Sequence, residues 1–130
     1  MNMRATTSGA VLTIFAPDMF VQGELADHER RWPAVLLPIT LHIHNPTDRP
    51  MLLEGRRVAT WCVRELASGK VVALGRAAIE PQLALAPHTT QALEFLADPP
   101  STAFTQSGTY VVELDHVEHA ETRIYVTLEA

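Results

Sequence analysis

The sequence has little of what usually staples a chain, charges it for nucleic acid or anchors it in a membrane. It holds one cysteine, Cys62, in 130 residues, so no disulfide can form within it and burial of apolar surface must carry the fold. It has no basic surplus: ten lysines and arginines stand against 15 aspartates and glutamates, a formal charge of −5. Phosphate backbones call for a basic stripe, and the only basic pairs, Arg30-Arg31 and Arg56-Arg57, each lie close to acids. No long apolar run is present. The stretch from Ala10 to Ala16 is far too short for a membrane span, only Arg4 precedes it as a cation, and no small-x-small cleavage site follows. These absences lead us to expect a cytoplasmic protein with neither a nucleic acid nor a membrane as partner.

Catalytic signatures are missing as well. The six glycines are scattered singly, so there is no glycine-rich loop for a phosphate. No Gly-x-Ser-x-Gly elbow marks a nucleophile, and no pair of carboxylates can be placed for acid–base work. Cys62 sits beside Trp61 with no neighbour that would lower its pKa, which makes it a buried structural thiol rather than a nucleophile. The expectation is a non-enzymatic protein without a cofactor.

What is present is alternation. A composition of 47% hydrophobic and 19% charged residues is that of a globular chain, and the length suits a single domain over residues 1–130. In Leu37-Pro-Ile-Thr-Leu-His-Ile-His44, residues Leu37, Ile39, Leu41 and Ile43 share one face while Thr40, His42 and His44 share the other. Asn45-Pro46-Thr47-Asp48-Arg49-Pro50 ends that strand with turn formers. Similar strands are predicted over Val11–Phe15, Arg57–Leu66, Lys70–Leu74, Leu83–Leu85, Thr89–Leu96, Gly108–Leu114 and Arg123–Leu128. Ala77–Glu80 and Glu24–Trp32 each have room for a turn or two of helix. The pattern predicts an all-β fold, an immunoglobulin-like antiparallel β-sandwich of about 7–9 strands. Its core should include Leu41, Ile43, Trp61, Val63, Phe95, Tyr110 and Val112. The Gly-x-Tyr opening at Gly108 suits a tyrosine corner, in which the phenol hydroxyl bonds to nearby backbone.

Two features point towards binding. The first is the stretch from Pro17 to Pro33, the longest without clear alternation. Part of it, Met19–Gln22, can form a further edge strand. It also carries Phe20, Arg30, Arg31 and Trp32, residue types that anchor interfaces, and these four are the candidate partner-binding residues. The second is histidine. His42 and His44 lie two apart on one strand and point the same way, while His116 and His119 lie past the end of another. If the strands are neighbours, four imidazoles meet. No carboxylate or thiol in the linear sequence completes a ligand motif, so no metal ligand is assigned.

The residues Ile39-Thr-Leu-His-Ile-His-Asn-Pro-Thr-Asp48 resemble an early strand and turn of the small bacterial intracellular proteinase inhibitor family. Val63-Arg64 to Gly69-Lys70-Val71 resembles the hairpin that follows there, and Leu85-Ala86-Pro87 and Gly108-Thr109-Tyr110 resemble later landmarks. The chain departs from that family where Val72-Ala73-Leu74, Ala77-Ala78-Ile79 and Pro87-His88 stand in place of a tryptophan, a phenylalanine and a Pro-Gly. The resemblance implies the immunoglobulin-like fold and, secondarily, protease inhibition. The leading functional expectation is a protein–protein interaction or assembly module that uses an edge strand or a loop, with another protein or a second copy as partner. The alternatives are a protease inhibitor and a histidine-based metal-binding module.

Overall fold

The structure, a computed structural model, describes residues 2–5, 9–22, 35–55, 57–78 and 82–129. Among them are eleven strands, no α-helix and one turn of 3-10 helix at Ser101–Ala103. The strands are β1 (Asn2–Ala5), β2 (Val11–Phe15), β3 (Met19–Gln22), β4 (Leu37–His44), β5 (Met51–Glu54), β6 (Val58–Glu65), β7 (Val71–Ala78), β8 (Gln82–Leu85), β9 (Thr90–Ala97), β10 (Gly108–Asp115) and β11 (His119–Glu129). They form a four-stranded sheet in the order β1-β2-β4-β9, a five-stranded sheet in the order β3-β11-β10-β6-β7, and the small pair β5-β8. Every pairing is antiparallel except β3 with β11.

The alternation read from the sequence is the physical basis of this arrangement. Leu37, Ile39, Leu41 and Ile43 of β4 are fully buried, whereas Thr40, His42 and His44 face outward. Leu12 and Ile14 of β2 and Phe95 of β9 join them from the four-stranded sheet. Trp61 and Val63 of β6, Tyr110, Val112 and Leu114 of β10, and Ile124 and Val126 of β11 complete the same cluster from the five-stranded sheet. All seven expected core residues are at most 5% exposed. Each such aliphatic or aromatic side chain contributes about 1.5–3 kcal/mol by leaving water.

Several elements differ from the sequence expectation. β1 and β5 were not foreseen, β7 runs on through Ala77 and Ala78 where a helical turn was expected, and β11 begins at His119 instead of Arg123. Ile79, Glu80 and the Glu24–Trp32 turn lie outside the described residues. The persistence of β7 has a steric reason. Its inward positions are Ala73, Gly75 and Ala77, small residues opposite Val63, Trp61 and Ala59 of β6. Trp61 pairs with Gly75 and lays its indole over that glycine, so that a Cβ there would lie 2.4 Å from Trp61 Cζ2. Alanine's helix propensity yields to this packing.

Two polar devices fix the ends of strands. The Tyr110 hydroxyl donates to the Gln106 carbonyl at 2.8 Å, which is the expected tyrosine corner. Asn45, fully buried, donates from Nδ2 to the carbonyls of Arg49, Leu85 and Ala86 at 2.7, 3.3 and 3.2 Å. Its Oδ1 accepts from the Thr47 amide at 3.0 Å and the Thr47 hydroxyl at 2.6 Å. One side chain thus closes the turn after β4 and ties it to the end of β8, as an Asx turn does.

The contact between Trp61 and Gly75 generates a first prediction. Gly75→Ala forces the indole aside and should destabilise the domain by about 1–3 kcal/mol, the usual scale of overpacking. Urea denaturation followed by tryptophan fluorescence measures it, and an unchanged midpoint would show that the ring has room to move.

Candidate metal centre

The outer face of the five-stranded sheet gathers chemistry that the linear sequence keeps apart. On β10 the inward Tyr110, Val112 and Leu114 leave Glu113 and Asp115 pointing outward. The chain turns at residues 116–118 and returns as β11, with Glu121 directly opposite Glu113 and His119 opposite Asp115. On the other side of β10, Cys62 of β6 stands opposite Glu113 and Thr60 opposite Asp115. Arg64, one outward position further along β6, reaches back across the row.

The distances define a cluster. One ligand atom from each of Glu113, His119 and Glu121 lies within 4.8 Å of the others. His119 Nε2 is 3.8 Å from Glu113 Oε1 and 3.6 Å from Glu121 Oε2. His119 Nδ1 is 3.3 Å from Asp115 Oδ1, so one ring nitrogen faces Asp115 and the other faces the two glutamates. Arg64 supplies the nearest fixed positive charge, with a guanidinium nitrogen 3.4 Å from Glu113 Oε1 and 3.9 Å from Glu121 Oε2. Like charges placed directly opposite on neighbouring strands repel, and Glu113 and Glu121 share the single Arg64 guanidinium, while Arg76 and Arg123 stand at other positions on the same face.

Cys62 flanks this centre without acting as a nucleophile. Burial first, then the hydrogen bond to Glu113 and the field of its carboxylate, push the thiol up to about 11. It is half-buried on the outer face and not in the core as the sequence suggested. At the far end of β6, hydrogen bonds from Gln106 and Ser68 hold the Glu65 carboxyl below its ordinary range.

The histidines expected to act together do not meet. His42 and His44 lie on the four-stranded sheet, where His42 packs against Phe15 with ring centroids 5.0 Å apart and His44 Nδ1 bonds Thr90 Oγ1 at 2.8 Å. His116 is buried in the turn after β10, against Phe95 and against Gly55, where a Cβ would come within 2.8 Å of its Nε2. Only His119 enters the cluster, and its partners are the glutamates that the sequence reading passed over. The signal was present as Glu113-x-Asp115 and His119-x-Glu121, two alternating pairs either side of a tight turn. Of the candidate partner-binding residues, Phe20 lies on β3 and is 72% exposed, while Arg30, Arg31 and Trp32 lie outside the described residues.

No protein-family model matches the chain, and no curated protein is significantly similar to it. Among solved structures it is similar to a β-glucosidase from Erythrobacter marinus, with 14% identity over 91% of this chain and a TM-score of 0.50. The chain spans 15% of that enzyme. A β-glucosidase from Listeria innocua gives 15% identity, 93% of this chain, 16% of that one and a TM-score of 0.49. A CARDB domain from Pyrococcus furiosus, solved in complex with di-metal ions, gives 17% identity, 92% of this chain, 94% of that one and a TM-score of 0.45. At such identities a likeness concerns the fold alone, and the two with TM-scores below 0.5 carry no weight.

The thiol generates the second prediction. At pH 8 the thiolate fraction of Cys62 should be about a hundredfold below that of an ordinary cysteine, because only the thiolate reacts and its pKa lies well above that pH. Iodoacetamide labelling read by mass spectrometry should be correspondingly slow and should accelerate only as the pH approaches 11. Labelling at the rate of a free thiol at pH 8 would contradict this.

Proposed function

We propose that this chain is a non-catalytic, immunoglobulin-like β-sandwich module that binds a divalent ion of the Zn²⁺ class through Glu113, His119 and Glu121. One observation carries the reading: the three ligand atoms lie within 4.8 Å of one another. A tetrahedral ion with bonds of about 2.0–2.1 Å places its ligands about 3.3 Å apart. The separations of 3.6 and 3.8 Å from His119 Nε2 lie a few tenths of an ångström above this, and the two carboxylates, within 4.8 Å of each other, would close by up to about 1.5 Å through side-chain rotation. Two carboxylates and an imidazole suit a borderline ion, and Asp115 behind the imidazole supplies the orienting partner such ligands usually have. Arg64 takes the counter-charge role in the metal-free arrangement and gives up its contacts when the ion enters.

The third prediction tests this. Titration of chelator-treated protein with Zn²⁺ should give one site per chain, lost or weakened at least about tenfold by His119→Ala and by Glu113→Gln with Glu121→Gln. A saturating ion binds only the folded state and should raise the melting temperature. Acidification should weaken binding, since a protonated imidazole has no lone pair to offer. Absence of heat and of any thermal shift would refute the metal reading.

A second reading, an interaction module, is favoured by Phe20. This side chain is 72% exposed at the sheet edge, and the neighbouring Tyr125 is 50% exposed. Large aromatics left in water mark contact surfaces more often than packing needs. Protease inhibition is one form this reading can take, supported by the sequence landmarks alone. The fourth prediction follows: Phe20→Ala should change stability by less than about 0.5 kcal/mol, as exposed positions do. A loss of several kcal/mol in chemical denaturation would make Phe20 a structural plug and remove it from the interface.

A further inference from the structure

We infer that β9 is a self-association edge: two copies of this chain pair antiparallel along Thr90–Ala97 and join their four-stranded sheets into one of eight. The inference names an interaction surface separate from Phe20 and independent of the metal centre, both of which lie on the other large sheet.

The phase of the β9 ladder is settled by its ends. The Asn45 amide donates to the Thr89 carbonyl at 2.9 Å and the Val35 amide to the Pro99 carbonyl at 2.8 Å, in the same register as Leu37 with Ala97 and Ile43 with Gln91. Odd-numbered residues of β9 therefore exchange backbone bonds with β4. Thr90, Ala92, Glu94 and Leu96 turn their N–H and C=O groups to the other side. Among the described residues no strand pairs there.

Open edges are normally guarded by proline, lysine, an inward charge or a bulge. β9 reads Thr-Gln-Ala-Leu-Glu-Phe-Leu-Ala: its one charge, Glu94, points outward, it has no proline, lysine or inward charge, and its eight pairs with β4 run without irregularity. The other long edge, β7, meets a register irregularity at Val63/Arg64 in its pairing with β6, and β3 is four residues long. Among the described residues β9 is thus the least guarded long edge.

Its pattern also selects a second copy as occupant. Full overlap about a two-fold axis at Leu93 sets Thr90 opposite the partner's Leu96 and Ala92 opposite the partner's Glu94. These pairs exchange about eight backbone bonds. The only charge of the strand then faces alanine. Sliding the pairing by two residues towards Leu96 sets Glu94 against Glu94, which like charges oppose, and shortens the overlap. On the core side, Leu93 is only half-buried although it packs on the core cluster, and the two-fold axis covers it with its own copy. Outside, Leu96 is 60% exposed beside Pro38 and gains the partner's Thr90 as a neighbour.

A strand-to-strand contact of this size is small, so the dimer should be of micromolar strength, and sedimentation velocity between about 1 and 500 µM, with chelator present, reads it. Wild-type protein should pass from monomer to dimer over that range. Ala92→Lys places a cation opposite the partner's Glu94 twice and should tighten the dimer about fivefold, while Ala92→Glu should loosen it by a similar factor. Ala92→Pro removes an edge-facing N–H and no bond to β4, and should leave a folded monomer. Should that variant fail to fold, the lysine and glutamate pair still decides the matter. A monomer throughout the range overturns the inference, as does a dimer indifferent to both charges. Either result leaves the zinc titration, and the reading it tests, untouched.

Discussion

The register of β10 against its two neighbours is the constraint on which the rest of the molecule depends. This strand lies in the interior of the five-stranded sheet, between β6 and β11, and its inward side chains Tyr110, Val112 and Leu114 are at most 1% exposed. A slip of one residue would send Glu113 and Asp115 into the core and the three apolar side chains into water. The penalty for burying two carboxylates without partners far exceeds the gain of any single backbone bond. The strand is also pinned at both ends, by the Tyr110 corner at its start and by the buried His116 just past its last residue. Hydrophobic burial on one face therefore dictates which polar groups meet on the other.

That dependence explains how a solvated sheet face becomes a site. Direct opposition of Glu113 and Glu121 is unfavourable by itself, yet it follows from a register that the core enforces. Arg64 offsets part of the repulsion, and the Cys62 hydrogen bond steadies Glu113 from the β6 side. Because the guanidinium is itself 28% exposed, solvent screens its attraction and its hold on the pair is modest. A divalent ion would concentrate twice the charge within bonding distance of the same oxygens, so the two cations would compete for one pair of carboxylates.

Much of the fold was legible because period-two alternation is a local signal. β4 was read to the residue, and the burial of Trp61, Val63 and Tyr110 followed from which face each shares. The failures have particular causes. Met51-Leu-Leu-Glu54 has no alternation to detect, since β5 is held by pairing with the distant β8. Ala77-Ala78 reads as helix until their pairing with Ala59 and Val58 of β6 is placed, which is a tertiary fact. The centre was missed for a related reason. His42 and His44 advertise themselves by spacing, whereas Glu113, His119 and Glu121 become neighbours only after the chain reverses at residues 116–118. Spacing along one strand finds ligands on one strand; ligands shared by two strands require the turn to be placed first.

The core also bears on what kind of metal site this face can be. Small metallodomains that lack a core fold only when the ion is bound, and their sites are closed by four protein ligands. Here residues from all three sheets join one buried apolar cluster, so folding has its driving force without an ion. The cluster offers three ligand atoms, with Glu121 exposed and Glu113 and His119 half-buried. A three-ligand arrangement on a solvated sheet leaves a coordination position facing outward, where water or an acidic side chain of another molecule can enter. An ion bound in that way would add a connector to the surface instead of a staple to the interior.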